Sequence, residues 1–141
     1  MGPTEDADRV VISPDMTPLQ TVRTFIAALE RKDFDSAEAL LAPDCEYDNV
    51  PMSKMFGPAV IRAAMEGFLA QCTAIDWVVV REAETGNIVC NERIDRFEMP
   101  HGWIELPVAG IWEVVDGKIT LWRDYFDLGA FQRAMAPAAD V

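Results

Sequence analysis

The sequence predicts an α+β fold, in which a curved, mixed but mainly antiparallel sheet forms a cone. Three N-terminal helices are expected to pack on its concave side, and a short helix to follow at the C-terminal end. Helix caps and helical spacing of apolar residues fill the first half of the chain, and alternating segments joined by tight turns fill the second. Since 50% of the 141 residues are hydrophobic, a core can form. A sheet coned around a helix encloses one apolar cavity.

The helices are predicted from capping patterns that precede apolar residues. Residues 17–20 combine a threonine N-cap, a proline at the first helical position and a glutamine at the third, which begins the first helix. Its apolar face is formed by Leu19, Val22, Phe25, Ile26 and Leu29. A second, shorter helix is predicted from a capping box at 35–38, with Ala37, Leu40 and Leu41 inward. Pro58 begins a third helix that carries Ile61, Met65, Phe68 and Leu69, and Asp127 is placed to cap a last helix over 131–135.

The strands are predicted from alternation and from the turns between them. A short strand over 45–50 ends at Pro51, and a loop over 52–57 follows. Four longer strands come next, over 75–83, 87–99, 103–115 and 118–127. The turns between them each contain a glycine, which favours hairpins and therefore antiparallel pairing.

The chain is predicted to hold one domain at 17–136, between a flexible leader at 1–16 and a tail at 137–141. It has 24 acidic and 12 basic residues, a net charge of −12. A surface this negative repels phosphate groups, so neither nucleic acid nor an anionic membrane is expected as a partner. No secretory signal is recognised at the start, and no apolar run approaches the roughly 20 residues that cross a bilayer.

The cysteines and the histidine offer little for metal or redox chemistry. Cys45, Cys72 and Cys90 are widely spaced, form no CxxC pair and are expected to be small buried hydrophobes of a reducing, cytoplasmic compartment. His101, the single histidine, is expected in a turn beside Gly102. No metal site is therefore predicted. The chain also lacks a glycine-rich nucleotide motif and a GxSxG elbow, which leaves carboxylates, tyrosines, an amide and arginine as catalytic groups.

Strand alternation places several of these polar groups on the apolar side of the sheet. Residues two apart share a face, so Arg93 and Asp95 share the face of Phe97. By the same rule Asp124 lies between two aromatic residues, and Tyr47 and Asn49 point together. An aspartate among aromatics is costly unless it is paired. Either a functional site or a structural salt bridge explains this pattern.

These residues resemble the limonene epoxide hydrolase family. The likeness is carried by Arg93-Ile94-Asp95, by the downstream segment 122–126 (Trp-Arg-Asp-Tyr-Phe) and by the upstream segment 47–49 (Tyr-Asp-Asn), and it spans roughly 17–135. The resemblance implies a cystatin-like or NTF2-like cone, a homodimer and no cofactor.

The resemblance also implies a role for each residue of this set. Asp124 is the general base that takes a proton from water, while Tyr47 and Asn49 hold that water. Asp95 is the general acid that protonates the epoxide oxygen, and Arg93 bridges the two carboxylates. Such a site needs one aspartate protonated and the other ionised, and two neighbouring carboxyls in an apolar cavity favour that state.

An apolar pocket lining indicates a lipophilic substrate such as a terpene, cyclic alkene or sterol oxide. The residues expected to line it are Leu29, Met65, Phe68, Phe97, Leu106, Val108 and Phe126. The aromatic and aliphatic members of this set on the strands are also explained as ordinary core. Two other functions stay open on the same fold: an isomerase of the ketosteroid type or polyketide cyclase, and a non-catalytic binding or dimerisation module.

Overall fold

Within residues 15–136, which the computed structural model describes, the chain forms four helices and six strands. In chain order the elements are α1 (Pro18–Glu30), α2 (Phe34–Ala39), β1 (Leu41–Val50), β2 (Met55–Phe56), α3 (Pro58–Leu69), β3 (Ala74–Thr85), β4 (Ile88–Met99), β5 (Gly102–Val115), β6 (Lys118–Phe126) and α4 (Leu128–Met135). The leader predicted over 1–16, save its last two residues, and the tail predicted over 137–141 lie outside the described residues.

All six strands belong to one curved sheet that does not close, with the order β2-β1-β6-β5-β4-β3. Each neighbouring pair is antiparallel except β1 and β6, which run parallel. The prediction of a mixed, mainly antiparallel sheet with three helices before its long hairpins and one after them is therefore confirmed. The two-residue strand β2 falls in the segment predicted as loop, because two residues show no alternation to recognise.

The predicted caps are confirmed for the first and last helices. At α1 the Thr17 Oγ1 accepts from the Gln20 backbone N–H at 3.1 Å, and the Gln20 Oε1 accepts from the Thr17 N–H at 2.9 Å. At α4 the Asp127 Oδ1 accepts from the Ala130 N–H at 3.1 Å. These side chains satisfy backbone donors that a helix leaves unpaired at its first turn.

The prediction that Asp35 caps the second helix is wrong. The N-cap of α2 is Asp33, whose Oδ1 accepts from the Ser36 N–H at 3.2 Å. Asp35 and Glu38, the two carboxylates of the predicted capping box, instead accept from the Arg62 Nη1 of α3 at 2.7 and 2.8 Å. Asp35 and Glu38 therefore form ion pairs with another helix, and they do not cap their own helix as the local sequence had indicated.

Strand alternation is confirmed on the inward face of the sheet. Arg93, Asp95 and Phe97 of β4 are all buried, as are Trp122 and Asp124 of β6. The helices cover this face, and their buried residues include the expected Ala37 and Ile61 as well as most of the α1 face: Val22, Phe25, Ile26 and Leu29. Leu40 and Leu41, expected on the second helix, are buried too, but they lie at its C-cap and at the start of β1. The core therefore lies between the helices and the concave side of the sheet.

The expectation of three buried cysteines is wrong at one position. Cys45 and Cys72 are buried and Cys90 is exposed, and all three are free thiols. Cys90 lies between Val89 and Asn91, which both face inward, so alternation along β4 turns its side chain outward.

Candidate active site

A buried arginine joins two carboxylates at the centre of the concave face. The Arg93 guanidinium donates to Asp95 through Nε at 2.9 Å and through Nη2 at 3.0 Å. It donates to Asp124 through Nη2 at 2.9 Å and through Nη1 at 3.2 Å. Arg93 is 0% exposed, and both aspartates are 4% exposed. Bidentate pairing of this kind gives geometric specificity as well as energy.

Strand register explains how one arginine reaches both aspartates. Arg93 and Asp95 are two residues apart on β4, whereas Asp124 lies on β6, with β5 between the two strands. The β5 residue that lies between Asn91 of β4 and Asp124 of β6 is Gly110. A Cβ atom at Gly110 would lie 2.5 Å from the Arg93 Nη1. The absence of a side chain at this position therefore lets the guanidinium cross β5.

Aromatic rings surround the guanidinium. The Arg93 Cζ lies 5.1 Å from the ring centre of Trp77 and 5.8 Å from that of Trp112. Trp112 in turn stacks on Trp122 with ring centres 5.2 Å apart. Such contacts favour a cation and keep water away from it, so the electrostatic interactions between the guanidinium and the two carboxyl groups are strong.

The two remaining members of the predicted set come from β1, which runs parallel to β6. Asn49 is the register partner of Asp124, and Tyr47 is the partner of Trp122. The Tyr47 ring stacks on Trp122 with ring centres 4.0 Å apart, and the Asn49 Nδ2 approaches the Met52 Sδ at 3.8 Å. The structure thus brings all five predicted residues to one place, although their sequence positions span more than half of the chain.

Burial controls the ionisation of this group. It raises the pKa of Asp95 to about 6, while the hydrogen bond and charge of Arg93 act in the opposite direction and the charge of Asp124 adds to the rise. Burial alone lowers the pKa of Arg93, but Asp124 and Asp95 outweigh it, so the guanidinium stays charged. Burial also raises the pKa of the Tyr47 phenol well above its ordinary value, which keeps it protonated.

A largely apolar cavity of about 230 Å³ opens beside these groups. Its polar wall consists of Tyr47, Asn49, Asp95 and Asp124. Arg93 does not contribute to the wall, since it lies behind the two carboxylates. A molecule in this cavity would therefore be within reach of the aspartates, the tyrosine and the asparagine, and Arg93 would be separated from it by the carboxylates.

Six of the seven residues expected to line a pocket do so: Met65, Phe68, Phe97, Leu106, Val108 and Phe126. Leu29 is the correction, because it is buried beside Phe25, Phe34 and Ile61 in a separate small crevice between α1, α2 and α3. Helical spacing marked the buried face of α1 correctly, but it does not tell which part of that face meets the cavity.

Several site residues were not predicted. The unpredicted cavity residues are Met52, Met55, Ala64, Leu69, Trp77 and Phe131. Asn91, which accepts a hydrogen bond from Arg93, was also missed. Two of them carry a signal in the sequence, since Asn91 shares the inward parity of Arg93 and Trp77 pairs with Asp95 across the β3–β4 hairpin. His101 lies in a turn as expected, with its Nε2 3.0 Å from the Ala134 carbonyl oxygen of α4.

Neither a metal cluster nor a membrane helix is found between residues 15 and 136. No three histidine, cysteine, aspartate or glutamate side chains in this part of the chain are grouped to hold a metal ion. No helix in the same range has both the length and the apolar character to cross a bilayer.

Comparison with known proteins gives a consistent result. The model of the limonene-1,2-epoxide hydrolase catalytic domain matches residues 16–136. Epoxide hydrolase EphG of Mycobacterium tuberculosis (strain H37Rv) is 36% identical over 110 residues, which cover 76% of this chain and 71% of that protein. The structure of an M. tuberculosis LEH-like epoxide hydrolase superposes with a TM-score of 0.74 at 30% identity, covering 84% of this chain and 91% of that one. An NTF2-like protein of unknown function from Cytophaga hutchinsonii superposes with a TM-score of 0.68 at 25% identity, covering 84% and 96% of the two chains.

Proposed function

This chain belongs to the limonene-1,2-epoxide hydrolase family, and on that premise we propose that its cavity opens a lipophilic epoxide to a vicinal diol by direct attack of water. It is an epoxide hydrolase by its family and by its relatives. The observation that carries the proposal is the pair of aspartates bound to one buried guanidinium on the wall of an apolar cavity. Acid and base for ring opening are thus held at a fixed separation where a lipophilic molecule binds.

The proposed mechanism moves two protons in one step. Asp124, as the ionised base, takes a proton from a water molecule held by Tyr47 and Asn49, and the water oxygen forms a bond to one epoxide carbon. The bond from that carbon to the ring oxygen breaks, and the oxygen takes the proton of Asp95. The raised pKa of Asp95 supports its role as the acid, since at weakly acidic pH it keeps a proton that a carboxyl with the ordinary value of 3.8 has lost. A proton passed from Asp124 to Asp95 restores the starting state.

The test of this function is a single-turnover reaction with enzyme in excess, a panel of lipophilic epoxides and ¹⁸O-labelled water. We expect a diol that carries ¹⁸O from the first turnover, because water attacks the ring without a covalent enzyme intermediate. An unlabelled diol would show that a carboxylate attacked first. No diol from any epoxide would instead favour the isomerase or the binding module, which share this fold.

The activity is expected to depend on the proton of Asp95. As the pH rises through about 6, kcat/KM should fall, because the raised pKa of Asp95 marks the loss of the proton that the ring oxygen takes. The raised pKa of Asp95 also affects stability. Between pH 3.8 and about 6 the folded protein holds a proton on Asp95 that the unfolded chain has released, so the free energy of unfolding falls as the pH rises through this range. Initial rates over a pH series measure the first effect, and urea unfolding over the same series measures the second. A rate that stays constant above pH 6 would contradict the role of Asp95.

The protein is further proposed to form a homodimer and to be located in the cytoplasm. The outward face of the sheet supports self-association, since Val78, Ile111 and Tyr125 lie on it and are 39%, 36% and 44% exposed. In register, the apolar residues between Val78 and Tyr125 are Ile94, Pro107 and Ala109, and an apolar band of this kind favours a partner. Sedimentation equilibrium tests the prediction, and a monomer at every concentration would exclude it. The cytoplasmic location stays a prediction from the three free thiols, and cell fractionation tests it.

A further inference from the structure

We propose that Asn91 is a positioning residue for this reaction, holding the Arg93 guanidinium in the one orientation that sets the two carboxylates. Asn91 is 5% exposed and is not part of the cavity wall, so it does not touch a substrate. Its Oδ1 accepts from the Arg93 Nη1 at 2.9 Å. This inference rests on the proposed function, because it assigns a task within that same site.

The hydrogen bonds of the guanidinium show what Asn91 adds. A guanidinium has five N–H donors in a rigid plane, and Arg93 makes five hydrogen bonds. Four of them go to the two aspartates, and the fifth goes to Asn91. The Nη1 nitrogen has only one carboxylate partner, Asp124, and that bond is the longest of the five at 3.2 Å, so the 2.9 Å bond to Asn91 is the shorter of the two that hold this end of the plane.

The orientation of the Asn91 amide is fixed by its partners. Its Oδ1 lies 2.9 Å from the Arg93 Nη1 and 3.3 Å from the Trp112 Nε1, and both of these atoms are donors. A flipped amide would place its own N–H groups against two donors. The oxygen must therefore face them, and the Asn91 Nδ2 is left buried without a hydrogen-bond partner. A polar group that keeps an unpaired donor in the core is retained at a cost, which favours a function for its oxygen.

The consequence for catalysis follows from the shared guanidinium. Arg93 Nη2 bonds both aspartates, so a rotation of the plane moves the two carboxylates together away from their working positions. A misplacement of about 1 Å in such an arrangement costs about 100-fold in rate. Substrate binding depends mainly on the apolar wall, which a rotation of Arg93 leaves unchanged. Loss of Asn91 is therefore expected to lower kcat and to leave KM nearly constant.

The test compares a substitution that removes the acceptor of Asn91 with one that keeps it. Asn91→Leu keeps the size and removes the acceptor, and we expect kcat to fall about 10- to 100-fold with KM changed by less than about threefold. Asn91→Asp keeps an acceptor at the same place, and at its own pH optimum it should recover most of the lost rate. Ile119→Val serves as the control for lost stability, because Ile119 is 0% exposed and lies outside the cavity wall. It should lower the melting temperature and leave kcat unchanged.

A spectroscopic readout separates this proposal from the hydrolase activity. In a ¹H–¹⁵N NMR spectrum of the wild-type protein, the Arg93 Nη hydrogens should give separate, slowly exchanging signals. In Asn91→Leu the Nη1 signals should shift and exchange faster, because Nη1 keeps only its 3.2 Å bond to Asp124. This result stands even if no epoxide is hydrolysed, so the two proposals fail separately. A folded Asn91→Leu protein with wild-type kcat and unchanged Arg93 signals would overturn the positioning role. So would Asn91→Asp if it stays as slow as the leucine variant. If the leucine variant does not fold, Asn91→Ala, which also lacks the acceptor, takes its place and is compared with Asn91→Asp by the same criteria.

Discussion

Asp124→Asn is expected to abolish turnover and to leave the protein folded. Asparagine has the shape of aspartate, and its oxygen still accepts one of the two Arg93 hydrogen bonds, while its amide nitrogen loses the other. The fold should survive the loss of that one bond. It cannot take a proton from water, and a general base contributes about 10²–10⁴-fold in rate. The substitution also removes a negative charge that raises the pKa of Asp95. Asp95 then ionises more readily, and the acid is weakened together with the base.

The matched control for this variant is Asp48→Asn. Asp48 is next to Asn49 on β1 and is almost as buried as Asp124, at 8% exposed, but it pairs with Arg123 on the other side of the sheet at 2.9 Å. Its loss should change stability slightly and turnover hardly at all. Epoxide hydrolysis and circular dichroism are measured on both variants. Wild-type rates in Asp124→Asn would remove the base from the mechanism.

Gly110→Ala is expected to cause a loss of activity of about 100-fold through one added methyl group. The new Cβ would lie 2.5 Å from both the Arg93 Nη1 and the Asn91 Oδ1 and 3.0 Å from the Asp124 Oδ1. Each of these three atoms is already hydrogen-bonded within the buried cluster, so they move away from the new Cβ only by breaking hydrogen bonds. Overpacking of a dense core costs about 1–3 kcal/mol of stability as well.

The control for Gly110→Ala is Gly67→Ala, which adds the same methyl group where there is space for it. Gly67 lies on the exposed side of α3, and a Cβ there meets no atom within 4 Å. Alanine should stabilise the helix by about 0.5–1 kcal/mol and leave kcat unchanged. Thermal unfolding and initial rates are compared for the two variants. A Gly110→Ala protein with wild-type activity would show that Arg93 does not need its path across β5.

Local patterns were sufficient for much of the fold and for the polar centre of the site. The capping box at Thr17 and the alternation around Arg93 and Asp124 depend on neighbours a few residues away, which the sequence displays directly. The cap of α2 and the place of Leu29 depend on contacts with distant helices, and there the predictions were wrong. The roles of the site residues were implied by the family resemblance, and they stay predictions.

The cavity wall shows the same limit. Met52 and Met55 come from the segment around β2, and Phe131 from α4, and no periodicity connects them with the strands. Asn91 was missed for a different reason. A buried amide does not by itself indicate a site, and its importance follows only from the finding that Arg93 bonds both aspartates and Asn91.

The parallel pairing of β1 with β6 has a consequence for the order in which the molecule assembles. Asn49 and Asp124 are register partners 75 positions apart, whereas Arg93 and Asp95 belong to hairpins that close locally. Contacts of high sequence separation form late, because a long loop must close first. During synthesis on the ribosome, β1 cannot pair until β6 has been made. Only then do Tyr47 and Asn49, which are proposed to hold the water, lie beside the two aspartates. The active site is therefore complete only late in folding. During refolding, recovery of enzyme activity would lag behind the recovery of secondary structure.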